Sequence, residues 1–268
     1  MAQDLKLFSL DCSKNIFTEN YISESGNAVK SFAIDKDFIY ISGLNINYTT
    51  RHIAKYNREY PHELIHSVDV LYNQYGAACV DDLYLYLLLI DGGHSIEKRK
   101  KSDLSVVIEP VYVGEGNSGQ CLCILKNKLF YIGYNYDTNS SKIIMFDTEI
   151  NFLDEYILPE DNYARNLISD NDYIYAYVSG DKGEYWLFKL NSNLNIIAQG
   201  RAEHYVHSIA AGKEYIYGVN AILSYDEKKI WVHRFSKETL SYIDLFGEYD
   251  YSFDFVAGGY FGAEAVIL

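Results

Sequence analysis

Apolar residues run along the chain in short bursts, none longer than the eight residues Leu83 to Ile90, and polar turns separate them. Runs of this length bounded by turn residues predict β-strands. One unit keeps returning, a polar turn that opens into an aromatic strand. It reads Asp35-Lys36-Asp37-Phe38-Ile39-Tyr40, then Val80-Asp81-Asp82-Leu83-Tyr84-Leu85, then Lys126-Asn127-Lys128-Leu129-Phe130-Tyr131. Further copies are Asp170-Asn171-Asp172-Tyr173-Ile174-Tyr175 and Gly212-Lys213-Glu214-Tyr215-Ile216-Tyr217, with a weaker one at Ala257-Gly258-Gly259-Tyr260-Phe261-Gly262. Measured on the third turn residue, from Asp37 to Gly259, the steps are 45, 46, 44, 42 and 45 residues. A fixed period of this size marks a repeat architecture.

Downstream of each copy comes a second strand-turn-strand. Examples are Ile143 to Phe146 turning at Asp147-Thr148-Glu149, and Trp186 to Leu190 turning at Asn191-Ser192-Asn193. Asn, Asp and Ser favour such turns because their side chains bond nearby backbone. Each repeat therefore predicts four antiparallel strands. On these copies the chain resembles the β-propeller superfamily, whose blades are four-stranded sheets arrayed about an axis. The resemblance implies an all-β, six-bladed propeller forming one domain, with blades near 31–72, 73–116, 117–161, 162–204 and 205–248. The sixth blade would join 249–268 to 1–30, N-terminal strands completing the C-terminal blade, since the step from Gly259 round to Asp37 is again 46 residues. Such closure would remove the exposed edges of an open arc.

Composition sharpens this picture. With 27 Tyr and 13 Phe among 268 residues, the apolar content is of the kind that suits pleated, half-buried surfaces. A formal charge of −14 disfavours nucleic acid as a partner, because such binding rests on neutralising phosphates. The one dense basic run, Glu97-Lys98-Arg99-Lys100-Lys101, falls at a strand end and turn and is expected to be a solvated face. No run approaches the ~20 apolar residues that cross a bilayer. The N-terminus lacks a secretory pattern, so a cytoplasmic location is expected, with a virion as the alternative. Four scattered cysteines suggest free thiols rather than a disulfide framework.

No subfamily signature accompanies the resemblance. Neither Trp186 nor Trp231 is followed by Asp, Gly-Gly occurs only at 92–93 and 258–259, and there is no Ser-x-Asp-x-Gly series. There is no phosphate loop and no Gly-x-Ser-x-Gly, and the His-Glu-x-x-His at His62-Glu63-Leu64-Ile65-His66 falls on a predicted strand instead of the helix that would turn both histidines to one metal. His62 and His66 share a strand face but stand about 13 Å apart, too far for one metal. His204 and His207 fall on opposite faces of an extended segment. The Asp-rich turns are expected to serve turn geometry rather than calcium. No catalytic residue, metal site or cofactor is predicted.

One column stands out, seven residues before each marker: Lys30, Tyr75, Cys121, Arg165, His207 and Ser252. In a propeller this position lies where the innermost strand begins, at one mouth of the central channel. All six are polar or weakly polar, above a drier ring of Phe32, Ala77, Cys123, Leu167 and Ile209, with Asp254 the exception. Lys30, Tyr75, Arg165, His207 and Ser252 are thus candidate ligand residues for a small anion, to which His207 adds charge only when protonated. The leading functional expectation is a non-enzymatic protein-interaction or scaffold module with a protein partner. The rivals are an anion binder or enzyme using the channel mouth, and a structural or attachment component of an archaeal virus-like particle, the latter on a Tyr-rich, Gln-poor composition.

Overall fold

The computed structural model describes residues 5–11, 16–23, 28–44, 51–59, 63–70, 75–90, 93–114, 118–135, 140–159, 162–180, 183–223 and 228–250. Twenty-two strands follow in chain order. Among the described residues the first two, β1 (Leu5–Asp11) and β2 (Ile16–Ser23), pair only with each other, from Leu5↔Ser23 to Asp11↔Ile16. Then come five four-stranded antiparallel meanders. Blade one holds β3 (Ala28–Ile34), β4 (Phe38–Leu44), β5 (Arg51–Asn57) and β6 (Leu64–Val70). Blade two holds β7 (Tyr75–Val80), β8 (Tyr84–Ile90), β9 (His94–Lys100) and β10 (Val106–Gly114). Blade three holds β11 (Ser118–Leu125), β12 (Lys128–Asn135), β13 (Ser140–Asp147) and β14 (Phe152–Ile157). Blade four holds β15 (Asn162–Ser169), β16 (Ile174–Gly180), β17 (Tyr185–Leu190) and β18 (Ile196–Ala202). Blade five holds β19 (Ser208–Ala211), β20 (Tyr215–Leu223), β21 (Lys228–Ser236) and β22 (Tyr242–Asp250).

The fold is therefore an all-β propeller of five blades, not six. Among the described residues, β1 and β2 belong to no four-stranded blade. Residues 28–30 open the first strand of blade one, and β22 runs to Asp250. The N-terminal strands form a self-contained hairpin, and residues 251–268, their expected partners, lie outside the described residues.

First strands of successive blades, β3, β7, β11, β15 and β19, lie against one another in chain order. In blades two to four the middle strands are apolar on both faces because neighbouring blades cover both sides. In β12, Phe130 and Ile132 enter the layer shared with blade four, while Leu129 and Tyr131 enter the layer shared with blade two. In β16, Ile174, Ala176 and Val178 face blade three, and Tyr175 and Tyr177 face blade five. This explains why the strand signal reads as continuous runs rather than alternation.

Turns between third and fourth strands carry a buried plug. Leu104, Ile150, Leu194 and Leu240 all adopt left-handed backbone, with φ of 57°, 63°, 60° and 58°. Each costs roughly 1–2 kcal/mol in that region. Burying an aliphatic side chain returns about 1.5–3 kcal/mol, and all four are buried in the layer between their own blade and the one before. Gly200 in β18 abuts this turn of blade five. A Cβ there would sit 2.6 Å from the Leu240 carbonyl carbon, so only glycine fits.

The layer between blades two and three also holds a fully buried histidine. His94 shares a very short hydrogen bond with the Tyr131 hydroxyl through Nδ1, and its Nε2 has no partner. Burial holds its pKa down at about 4. A base depressed in the folded state is fully stabilising above its unfolded pKa, near 6.5, and that stability is lost as pH falls through the folded value. Denaturant unfolding should therefore show about 3 kcal/mol of His94-dependent stability disappearing between pH 7 and pH 4. His94→Gln should abolish that slope; an unchanged slope would show that His94 is not held neutral.

Candidate functional site

In a four-strand meander, the turns joining strands one to two and three to four share one end of the blade. At this turn end, the repeated Asp organises the first turn. The Oδ1 of Asp35 accepts the Asp37 and Phe38 backbone N–H groups at 2.9 and 2.7 Å, and its Oδ2 accepts the Tyr40 hydroxyl. Asp81 does the same with Leu83, Tyr84 and Tyr86, and Asp170 with Asp172, Tyr173 and Tyr175. The Asp-rich turns thus use their carboxylates for turn chemistry, and no group of three or more metal-ligating side chains exists among the described residues.

Lysines join these turns from blade to blade. Lys55 donates to the Lys101 carbonyl of blade two at 2.9 Å and lies 3.8 Å over the Phe38 ring. Lys98 donates to the Thr148 carbonyl of blade three and lies 4.1 Å over Tyr84; Lys189 donates to the Lys237 carbonyl of blade five and lies 4.2 Å over Tyr173. In blade three the cation comes from β12 instead, Lys128 reaching the Ser192 carbonyl of blade four at 3.0 Å. Two turn lysines reach backwards as well. Lys101 pairs with Asp35 at 2.5 Å, and Lys237 pairs with Asp170 at 2.6 Å. Burial pushes both carboxyls up, but the lysine and the turn N–H groups outweigh it and hold both below the ordinary aspartate value.

The basic run is therefore not a solvated face as expected, Lys100 alone of its residues being exposed. Glu97, Lys98 and Arg99 are buried, Lys98 towards blade three and the Glu97–Arg99 pair beside the Leu104 carbonyl, which Arg99 also bonds.

The candidate column lies at the opposite end. Lys30 in β3 and Arg165 in β15 are each the extra residue of a bulge, between Val29↔Gly43 and Ser31↔Ser42, and between Ala164↔Val178 and Asn166↔Tyr177. A bulge re-aims the side chain it carries. The Arg165 side chain is exposed and donates Nε to the buried Ser179 hydroxyl at 2.8 Å, while its carbonyl accepts the Cys121 thiol at 3.6 Å. Tyr75 opens β7 opposite Leu89. His207 is exposed just before β19, with Nδ1 3.2 Å from the Tyr205 hydroxyl. Ser252, like Asp254 and Cys12, lies outside the described residues, as does His62. The structure thus joins Cys121 to Arg165 directly and places His207 in the next blade. Among the described residues Cys79, Cys121 and Cys123 form no disulfide, and burial pushes the Cys123 thiol pKa up.

Near His207 stands an aromatic row that the sequence reading missed. Tyr177 stacks on Tyr185 at 6.0 Å, Tyr185 packs on Tyr205 at 5.6 Å, and Tyr205 meets His207 edge-on at 4.9 Å. Tyr177 is fixed by donating to the His204 carbonyl and accepting the Val206 N–H. An open cavity of about 290 Å³ adjoins Tyr185, lined also by Arg201, Glu184 and Glu203. The Tyr-Val-His spacing of 205–207 was the available signal, but stacking with Tyr185 requires the blade to be folded.

No protein-family model matches the chain, and no curated protein matches it. Among solved structures it is similar to the WD40 β-propeller domain of Doa1, with TM-score 0.61 and 12% identity over 90% of this chain and 75% of that one. It is also similar to Kuenenia stuttgartiensis hydrazine synthase, with TM-score 0.58 and 10% identity over 85% and 70% of the two chains. U3-55K gives 0.57 and 9%, over 81% and 63%. At these identities the likeness establishes the propeller fold alone. No helix among the described residues is long and apolar enough to cross a membrane.

Proposed function

We propose that this chain is a protein-interaction scaffold, non-enzymatic, built on the propeller frame. The observation that carries the reading is an exposed apolar pair at the start of the outermost strand of every blade. Leu64-Ile65, Val106-Val107, Phe152-Leu153 and Ile196-Ile197 are all exposed, and Tyr242-Ile243 follows the same pattern with Tyr242 half-buried. Isolated surface aliphatics need no explanation, but one pair per blade on a frame locked by buried lysines is a patterned apolar surface of the kind that partners cover. Tagged protein recovered from its native source should retain a stoichiometric protein partner. A variant with the exposed second member of each pair, Ile65, Val107, Leu153, Ile197 and Ile243, changed to Ser should lose it while keeping its melting temperature. Retention of the partner by that variant, or no retained protein, would contradict the reading.

A second reading is favoured by Arg165. Its guanidinium is exposed at the non-turn end, and no carboxylate pairs with it among the described residues. With Lys30 and His207 it forms the basis of a small-anion site, in which Arg165 offers paired donors and Lys30 a mobile charge. Calorimetry with phosphate and small dicarboxylates should give heat that disappears in the Arg165→Ala, Lys30→Ala double variant; heat that survives would remove the site.

A further inference from the structure

Each of the five exposed pairs holds a structural peculiarity. In every blade the ladder between third and fourth strands slips by one residue at the same point. Ile65 has no opposite residue between Tyr56↔Leu64 and Lys55↔His66, and Val107 has none between Arg99↔Val106 and Lys98↔Ile108. Leu153, Ile197 and Ile243 repeat the arrangement in blades three, four and five. Five bulges thus carry five aliphatic residues, each 40–50% exposed.

A bulge on an edge strand interrupts pairing and keeps a fifth strand from adding. Edge protection alone is better served by a charged residue, which adds a desolvation penalty against any intruding strand. An aliphatic bulge does the reverse: it blocks strand addition while holding an apolar knob out to solvent. The rim is thus built for side-chain docking and not for a sheet extension.

Charge selects the occupant. The outer strands β6, β10, β14 and β22 each contain carboxylates and no Lys or Arg, and β18 has Arg201 alone; of these carboxylates Glu155, Glu248 and Asp244 already pair with Lys142, Lys229 and Arg234 of the neighbouring third strands, whereas Asp154 does not. Blade three is the most open, with Phe152 and Ile157 both 61% exposed beside Leu153. Asp154, between them in sequence, is exposed and has no cationic partner among the described residues. A second copy of this acidic rim would meet it with like charge. Resting on the scaffold reading above, we infer that the rim at β14 docks a cationic amphipathic segment of a partner protein, whose apolar face covers Phe152, Leu153 and Ile157 while a Lys or Arg side chain meets Asp154.

A synthetic amphipathic helix with one leucine face and one lysine face is the probe, titrated against the full chain by fluorescence anisotropy. Saturable binding is expected, weakening about tenfold when salt rises from ~50 to ~500 mM. Phe152→Ser with Leu153→Ser should weaken it at least tenfold, although the protein charge is unchanged, so mere electrostatic adsorption would survive and overturn the proposal. The same helix with Glu in place of Lys should not bind; equal binding would overturn the charge argument while leaving the scaffold reading intact. Absence of saturable binding by the lysine helix would also overturn it, as would concentration-dependent dimerisation of the protein alone that the double variant abolishes. The scaffold reading fails separately, on the native-source recovery.

Discussion

The structure depends on ammonium groups carried from one blade to the next. A four-stranded blade has two apolar faces and no stability of its own, and apolar layers are non-directional. They tolerate sliding unless something fixes register. Lysines of the third strands supply that direction: the buried Lys55 and Lys98 and the half-buried Lys189 each leave the third strand of one blade, cross an aromatic ring and end on the turn carbonyl of the next. A charged donor removed from water is costly without such partners, so only one alignment of neighbouring blades satisfies it. Burial does weigh on Lys55, whose pKa it lowers. The acceptor turn is itself held in place by its left-handed plug, as at Leu104 and Leu240. Register, plug and lysine therefore fix one another.

Much of the repeat was legible in the residues. Asp35, Asp81 and Asp170 announce their turns because a carboxylate three residues before an aromatic can accept two backbone N–H groups, and the structure uses it so. The blade count was not legible, since β1 and β2 read as the same strand-turn-strand whether they stand as a separate hairpin or complete a blade. The basic run at 97–101 was misread for a related reason. A lysine is charged in sequence and solvated by default, and the carbonyl that receives Lys98 lies 50 residues further on. The rim knobs were hidden too: Phe152-Leu153 reads as an ordinary strand start, and only the register slip shows that Leu153 faces solvent.

The same division explains the placement of function. At the turn end the charged side chains are largely spent on one another and on backbone, as with Asp35 and Asp170. What is left to a partner lies elsewhere: the re-aimed Arg165 beside the Tyr177–Tyr185–Tyr205 row, and the aliphatic bulges of the rim. Both are bulge residues. Regular ladder positions build the frame, and the positions where the ladder slips present side chains outward.

The account stands or falls on whether the turn cations bind neighbouring blades to each other. Asp35 belongs to blade one and Lys101 to blade two, so a double-mutant cycle of Asp35→Asn and Lys101→Met isolates one such link. Equilibrium unfolding of the four proteins at neutral pH should give a coupling of about 2 kcal/mol, with each single variant less stable than the parent. A coupling within about 0.3 kcal/mol of zero would show that the blades are held by their apolar layers alone.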